Sequence, residues 1–306
     1  MTKTSPLPMI LVLLACGNTN NSQHRTDDAS ATKPTRAHPQ SDAAPSVELV
    51  CTRQPFASKI DIAEASGATW MADGTLLVIG DSGTNGAFLR LSADTGVLLS
   101  RGNLPLDDGA SDDLEGLSRI GDNVYALTSS GYMREWSAKG DGFRLTQKSY
   151  RLAQAKDQEL ACASGKNTNC GPNFEGLCLM SDPPASAPCV GFAASKALGQ
   201  LICLQRQHDG RLSLVANHTI SVARPKTLSG CHFDEEGRLW FGNNVFAASS
   251  VGYVTGHERT ESAVITRVGA LGLGFPEAIV VGPGNLVYRF SDTMGTPSLL
   301  DKYICR

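Results

Sequence analysis

The sequence has 306 residues, of which 41% are hydrophobic and 19% charged, and its formal net charge at pH 7 is −3. These values are ordinary for a globular protein and allow one large domain or two smaller ones. The small net charge argues against nucleic acid or an anionic membrane surface as a ligand. Glycine is abundant, with 31 residues, and short apolar runs alternate with turn-forming residues, which favours an all-β chain.

The N-terminal residues 1–16 predict an export signal rather than part of the fold. Lys3 is followed by an apolar segment, residues 7–15, which is too short to span a bilayer. The segment ends in Leu-Leu-Ala-Cys, which resembles the lipobox of bacterial lipoproteins and implies lipidation of Cys16. An ordinary secretory signal that contains a cysteine is the alternative. We therefore expect an exported protein of the bacterial cell envelope, periplasmic or surface-exposed, that contacts the lipid bilayer only through the lipid on Cys16.

Residues 17–46 predict a disordered tether, because they contain almost no large apolar side chain that could offset the entropy of ordering. No later segment is apolar for long enough to predict a transmembrane helix. The remaining residues, 47–306, form the predicted folded domain.

A short motif recurs five times within this domain. Its fullest copy is Asp-Asp-Leu-Glu-Gly-Leu, residues 112–117, in which a glutamate stands before a glycine. Two further copies keep the glutamate, and two have serine in its place. The motif positions lie about 48 to 60 residues apart, which indicates a repeat architecture. They are Ser66, Glu115, Glu175, Ser229 and Glu277.

Each motif is followed by a turn signal, and then by an apolar strand that ends in small polar residues such as Gly80-Asp81-Ser82-Gly83. A third strand is clear in most copies and a fourth in several. Each repeat is therefore a four-stranded antiparallel sheet, and the chain is predicted to be an all-β, five-bladed β-propeller. A sixth blade, built from residues 143–161 or 245–274, is the alternative. We expect residues 47–62 to supply the missing outer strand of the last blade and to close the ring.

The domain contains an even number of cysteines, which in an exported protein predicts disulfides. They are Cys51, Cys162, Cys170, Cys178, Cys189, Cys203, Cys231 and Cys305. The paired CxxC spacing of a zinc site is absent. We expect Cys51–Cys305 to lock the closure of the ring. Short loops would be closed by Cys162–Cys170 and Cys178–Cys189, which leaves Cys203–Cys231.

Three stretches carry a family resemblance: "DDLEGL" followed by "NVYALTSSG", "SGATWMADGTLLVIGDSG", and "PEAIVVGPGNLVYRFSD". They resemble the SdiA-regulated (YjiK-like) propeller family and are similar to phytase-like esterase domains, across residues 64–300. The resemblance implies a propeller of five or six blades whose motif acids line the ring centre, where some relatives hold calcium. By motif position those acids are Glu115, Glu175 and Glu277. The chain departs from the pattern at Ser66, at Ser229, and at Ala278, where glycine is expected.

If the motif positions point to one axis, the three glutamates meet there, and Asp81 and Asp113 are plausible additions. Carboxylate oxygens suit a hard cation such as Ca²⁺. The alternative is that each glutamate is a structural acid of its own blade. Other residues have a simpler explanation as well: Trp70, Trp136 and Trp240 are expected to fill the cores between blades rather than a sugar site. His232 is the histidine nearest the presumed axis and the only candidate general base.

The sequence supports two functional hypotheses. The first is a monomeric binding module that presents the propeller to an envelope protein or a small-molecule ligand, with Ca²⁺ at the ring centre. The second is a metal-dependent hydrolase of phosphoesters or lactones that uses the central carboxylates. The fold alone does not separate them, because propellers host both functions.

Overall fold

The computed structural model describes residues 49–152, 162, 164–185, 187–245, 248–293 and 297–306. Regular structure in this part of the chain is β, apart from two 3-10 turns at Thr260–Ser262 and Pro283–Asn285. None of its helical segments is long or apolar enough to cross a bilayer. The predicted signal peptide with Cys16 and the whole of the predicted tether lie outside the described residues.

The strands form five antiparallel sheets, which are the blades of a five-bladed β-propeller. Two short strands precede the first blade: β1 (Cys51–Gln54) and β2 (Lys59–Ala63). Blade 1 contains β3 (Ala65–Trp70), β4 (Thr75–Gly80), β5 (Ala87–Ser92) and β6 (Leu98–Asn103). Blade 2 contains β7 (Leu114–Ile120), β8 (Asn123–Thr128), β9 (Tyr132–Lys139), β10 (Gly142–Leu145) and the short β11 (Tyr150–Arg151).

The other three blades repeat this order from the ring centre outwards. Blade 3 contains β12 (Phe174–Leu179), β13 (Gly191–Ser195), β14 (Gln200–Arg206) and β15 (Leu212–Ser221). Blade 4 contains β16 (Leu228–Phe233), β17 (Leu239–Val245), β18 (Ala248–Thr255) and β19 (Val264–Leu273). Blade 5 contains β20 (Phe275–Gly282), β21 (Leu286–Asp292) and β22 (Pro297–Cys305).

The ring closes as the sequence predicts, because β1 pairs with β22 and becomes the outer strand of blade 5. Cys51 lies opposite Cys305 in this ladder, and the two form a disulfide. The predicted Cys162–Cys170 pair is also confirmed. No sixth blade is formed by the described residues: β10 and β11 belong to blade 2, and residues 248–273 supply the two outer strands of blade 4.

The other two predicted disulfides are wrong. Cys178 pairs with Cys231, which joins the inner strands of blades 3 and 4, and Cys189 pairs with Cys203 inside blade 3. Strand order explains the difference, because β12 and β16 are neighbours around the axis although 53 residues separate the two cysteines. The four disulfides indicate an oxidising, exported compartment.

The hydrophobic core lies between the blades, where five clusters of buried side chains fill the five interfaces. Strand β4 illustrates why its sequence is continuously apolar. Successive side chains of a strand point to opposite faces, so Leu76 and Val78 join the cluster with blade 5, whereas Leu77 and Ile79 join the cluster with blade 2. Trp136 and Trp240 are fully buried in such clusters, as predicted. Trp70 packs against the cluster between blades 1 and 5 and is partly exposed.

Candidate functional site

The five motif positions share one backbone feature, a β-bulge at the start of the inner strand. In blade 2, for example, Leu114 faces Thr128 and Gly116 faces Leu127, so Glu115 has no partner across the ladder. The same shift in register occurs at the motif position of every other blade. A bulge leaves one residue unpaired and redirects its side chain. The inner strands thereby direct residues of all five motifs to one point on the axis, around a cavity of about 10 Å³.

The glycine after each motif position is explained by the packing of neighbouring inner strands. A Cβ atom on Gly116 would lie 2.3 Å from the backbone nitrogen of Leu177 in blade 3. A Cβ atom on Gly176 would similarly lie 2.9 Å from the Cα atom of Gly230 in blade 4. The inner strands are therefore too close for a side chain at these positions. Blade 5 meets blade 1 with enough room for the methyl group of Ala278, which is the departure seen in the sequence.

The side of the propeller at which the inner strands begin, here called the acid face, brings three predicted carboxylates together. Oxygen atoms of Asp81, Asp113 and Glu115 lie within 4.8 Å of one another. Asp81 follows the second strand of blade 1, whereas Asp113 and Glu115 belong to blade 2. Asp113 and Glu115 are 1% and 4% exposed, so water does little to stabilise their charges. Asp113 accepts a hydrogen bond from Ser129 Oγ, and Asp81 accepts one from the backbone N–H of Ser82.

The other two predicted acids, Glu175 and Glu277, share a lysine that the sequence analysis did not identify. Lys196 Nζ lies 3.0 Å from Glu175 Oε1 and 3.5 Å from Glu277 Oε2. Asn173 Nδ2 donates a further hydrogen bond of 2.9 Å to Glu175 Oε1. This lysine directly follows β13, as Asp81 directly follows β4, so the shared repeat position was the signal that could have revealed it. The ring centre therefore contains a pair of glutamates that share one lysine, and a trio, Asp81, Asp113 and Glu115, that forms no ion pair with another described residue.

Charge repulsion in this cluster appears in the pKa values. Burial, and then repulsion from Glu175 and the two aspartates, raise the pKa of Glu115 well above its usual range. Burial and the nearby Glu277 do the same to the pKa of Glu175, against the opposing effect of Lys196. Burial and the neighbouring Asp113 raise the pKa of Asp81 to about 7. Among the described residues, no ion pair compensates any carboxylate of the trio.

Two residues of the acidic loop before β7 position the trio. Asp112 Oδ2 accepts hydrogen bonds from the backbone N–H groups of Gly83 and Asn85, at 3.0 and 2.9 Å, and so attaches the loop after Asp81 to blade 2. Asp107 Oδ1 forms an ion pair with Nε of the buried Arg134, at 3.1 Å. Asp107 and Asp112 therefore both have structural partners among the described residues.

His232 lies at the other end of its inner strand, three residues beyond Ser229 and therefore about 10 Å from the acid face. Its Nδ1 accepts a hydrogen bond of 3.3 Å from the backbone N–H of Val281. Burial lowers its pKa to about 4, so the ring is neutral at pH 7. The structure thus separates this candidate base from the acids. Asn243, in the polar-loop register of blade 4, is 3% exposed, and its Oδ1 has no hydrogen-bond partner among the described residues.

The trio has the chemistry of a site for a hard cation. It offers only carboxylate oxygens, which suit Ca²⁺, and a bound cation would relieve the repulsion that raises the pKa values of Glu115 and Asp81. The residues present therefore fit a divalent ion at this place.

No known protein-family model matches the sequence, and no curated protein matches it either. Among solved structures, the chain is similar to the glutaminyl cyclase of Myxococcus xanthus, with a TM-score of 0.52 and 16% identity over 84% of this chain and 98% of that one. It is also similar to the PQQ-bound aldose sugar dehydrogenase of Streptomyces coelicolor, with a TM-score of 0.47, 12% identity, and coverage of 86% and 100%. A third similar structure is a calcium-binding regucalcin of Agrobacterium tumefaciens, with a TM-score of 0.43 and 12% identity over 80% of this chain and 93% of that one. At 16% identity, the similarity to the glutaminyl cyclase bears on the fold alone.

Proposed function

We propose that this protein is a calcium-dependent binding module, a β-propeller that holds Ca²⁺ at its acid face and presents that face to a ligand. The observation that supports this most directly is the convergence of the three carboxylates of Asp81, Asp113 and Glu115 within 4.8 Å. Buried carboxylates without a counter-ion repel one another and destabilise the fold. A divalent cation relieves this repulsion, so its binding is favoured.

Calcium fits the trio better than the other common ions. Zinc prefers imidazole and thiolate ligands, and none of the three side chains supplies either. Ca²⁺ accepts six to eight oxygen ligands in flexible geometry, so carboxylates, backbone carbonyls and water can complete its shell. Lys196 supports the same assignment, because it offsets part of the charge of Glu175 and Glu277 and forms no ion pair with the trio.

The cell envelope is the proposed location of this module. The disulfides are consistent with export, and the lipobox-like sequence that ends in Cys16 supports anchoring of a monomer through an N-terminal lipid. The ligand would be an envelope protein or a small molecule. We also propose that the protein is a member of the SdiA-regulated and phytase-like propellers, because its "DDLEGL" and related stretches resemble theirs.

Hydrolysis of a phosphoester or lactone is the alternative, and it needs an open cleft and a base beside the metal. The cavity lined by the motif residues is only about 10 Å³, which is room for about one water molecule. His232, the candidate base, lies at the opposite end of its strand. These two observations favour binding over hydrolysis.

Calcium titration of the full-length, EDTA-treated protein tests the proposal. We expect Ca²⁺ to bind measurably by calorimetry and to raise Tm. Glu115→Gln should weaken calcium binding at least about tenfold, the effect of losing one charged ligand. It should also raise the Tm of the metal-free protein, because the amide removes a charge that its neighbours repel.

Glu261→Gln is the matched control, since Glu261 lies in an exposed 3-10 turn outside the cluster. If calcium produces no heat and EDTA leaves Tm unchanged, the proposal fails. Calcium-dependent turnover of p-nitrophenyl phosphate or of a simple lactone, lost in Glu115→Gln, would instead favour the hydrolase.

A further inference from the structure

A second cavity opens at the other end of the axis, where the inner strands finish. Its volume is about 700 Å³, within the range of about 300–1,000 Å³ that is typical of sites for small molecules. All five blades contribute to its wall. The inner strand separates it from the acid face, since blade 2 contributes Glu115 to the central cavity and Ser118 and Arg119 to this one.

The wall of this cavity combines apolar surface with an aromatic ring. Leu179, Met180, Phe233 and Pro283 line it together with Trp70. Trp70 is the partly exposed tryptophan of the protein, whereas Trp136 and Trp240 are fully buried. An apolar wall of this kind accommodates the hydrocarbon part of a ligand, and an aromatic face also attracts cations.

His257 lines this cavity, and its Nδ1 is a hydrogen-bond acceptor that lies buried behind the cavity surface. The side chain is 3% exposed and contacts the edges of Phe192 and Phe233. Its Nε2 lies 2.8 Å from the carbonyl oxygen of Gly237, so Nε2 carries the hydrogen and Nδ1 is the acceptor. Within the described residues, no donor reaches the buried Nδ1. A buried polar atom without a partner is costly, so this nitrogen calls for a donor from a ligand or a water molecule.

The charged residues of the cavity are predominantly acidic. Asp234 and Glu236 both pair with Arg238, at 2.6 and 2.7 Å, which offsets part of their charge. The remaining acids, Asp182, Glu235 and Glu258, are exposed at the rim, and none of them forms an ion pair with another described residue.

Arg119, the cation of the lining, is bound to two backbone carbonyls. Its Nε donates to Trp70 O at 2.7 Å, and its Nη1 donates to Gly121 O at 2.6 Å. The three uncompensated acids therefore outnumber it, and the rim attracts cations and repels anions.

We propose that this cavity is a binding site for a small organic ammonium ion with an apolar body. The ammonium group is attracted by Glu235, Glu258 and Asp182, and it is linked to the buried His257 Nδ1 by hydrogen bonds through one bridging water molecule. The apolar body packs against Trp70 and Phe233. The site is independent of calcium at the acid face.

Three probes of matched size test the charge requirement: phenethylammonium, 2-phenylethanol and 3-phenylpropionate. Each is titrated into the full-length protein while the fluorescence of Trp70, the accessible tryptophan, is recorded. We expect saturable binding of the ammonium probe, at least about tenfold weaker binding of the alcohol, and no binding of the carboxylate. Equal binding of all three probes, or saturable binding of none, would overturn the proposal.

The double variant Glu235→Gln/Glu258→Gln removes two exposed rim charges and should leave Tm unchanged. It should weaken binding of phenethylammonium by about tenfold, whereas Glu261→Gln, an exposed acid of the same blade outside the cavity, should bind as the native protein does. Unchanged affinity in the double variant contradicts the proposal.

Nitrogen NMR of the imidazole rings tests the role of His257 without a substitution in the core. Phenethylammonium should shift the Nδ1 resonance of His257, and a resonance that stays in place at saturation rules out the proposed water-bridged link. Titration in EDTA separates the two proposals, because phenethylammonium binding should persist there even if calcium binding proves absent.

Discussion

Lys196 Nζ lies 3.0 Å from Glu175 Oε1, and this contact divides the centre of the propeller into two electrostatic halves. On one side the lysine pairs with both Glu175 and Glu277 and offsets part of their charge. On the other, Asp81, Asp113 and Glu115 meet and form no ion pair with another described residue. The repeated blades bring the carboxylates together at the ring centre. Because Lys196 pairs with only two of them, a metal ion is expected to bind at the other three.

Lys196→Gln should therefore destabilise the metal-free protein, because two carboxylates lose their counter-charge. Breaking a buried ion pair costs about 3–5 kcal/mol, and the loss should lie below this range because Lys196 is 27% exposed. Urea denaturation in EDTA measures it. Added calcium should recover part of the loss, whereas a variant as stable as the native protein would contradict the assigned role of Lys196.

Stability of the metal-free protein should fall as pH rises from about 4 to about 7. Asp81 has a pKa of about 7 in the fold and of about 4 in an unfolded chain. Between these values Asp81 binds more protons in the folded state than in the unfolded state, and the raised pKa values of Glu115 and Glu175 act in the same direction. Together these three acids should outweigh the opposite contribution of His232, so the free energy of unfolding should decrease with pH. Tm at pH 7.5 should lie at least about 2 °C below Tm at pH 5, the shift expected for about 1 kcal/mol.

Saturating calcium should remove this pH dependence, because the bound cation favours ionised carboxylates. Asp81→Asn should flatten the profile in EDTA. A metal-free protein whose Tm increases between pH 5 and 7.5 would show that the acids are not buried as charges that repel one another.

Gly116→Ala should prevent the inner strands of blades 2 and 3 from packing against each other at their native distance. The added methyl group would lie 2.3 Å from a backbone atom of blade 3, which cannot move without opening the ring. We expect a loss of more than about 3 kcal/mol in urea denaturation. Ala278→Gly is the matched change in blade 5 and should cost only about 1–2 kcal/mol, because it adds backbone freedom and removes one buried methyl group. Similar losses in both variants would disprove this account of the motif glycine.

Removal of the Cys51–Cys305 disulfide should destabilise the protein more than removal of Cys162–Cys170. The first bond spans 254 residues and the second only 8, and the stabilisation by a disulfide increases with the length of the loop that it closes. The double variant Cys51→Ser/Cys305→Ser should lose about 2–5 kcal/mol. Thermal melts of both double-serine variants provide the comparison, and the reverse order would contradict closure through β1 and β22.

The five blades could be predicted from the sequence, because turns and apolar strands repeat around each motif and the register of neighbouring strands is local. The convergence of Glu115, Glu175 and Glu277 followed from that repeat. The bulge at each motif position could not be predicted, since it depends on pairing with the second strand. The Cys178–Cys231 bond was missed for a similar reason: it connects two inner strands, and sequence distance favoured shorter loops.

Lys196 and Asp112 were missed because their roles depend on partners in other strands or blades. Lys196 lies in a short polar segment after a strand, and nothing in the sequence distinguishes it from other polar turn residues. Asp112 accepts hydrogen bonds from backbone N–H groups, and every residue except proline has such a group, so the sequence does not indicate these partners. The pocket lined by Trp70 and His257 was also unpredicted, since its walls come from all five blades and no single repeat contains its pattern.

Closure of blade 5 by β1 also places the two ends of the propeller side by side. The backbone N–H of Val50 donates to the carbonyl of Arg306 at 2.7 Å, and the N–H of Arg306 donates back to Val50 at 3.1 Å. Segments fused before and after the propeller would leave it at the same edge. The two ends could also be joined by a short linker and the chain reopened at the exposed Gly140 turn, so that the same sheets form from a circularly permuted gene.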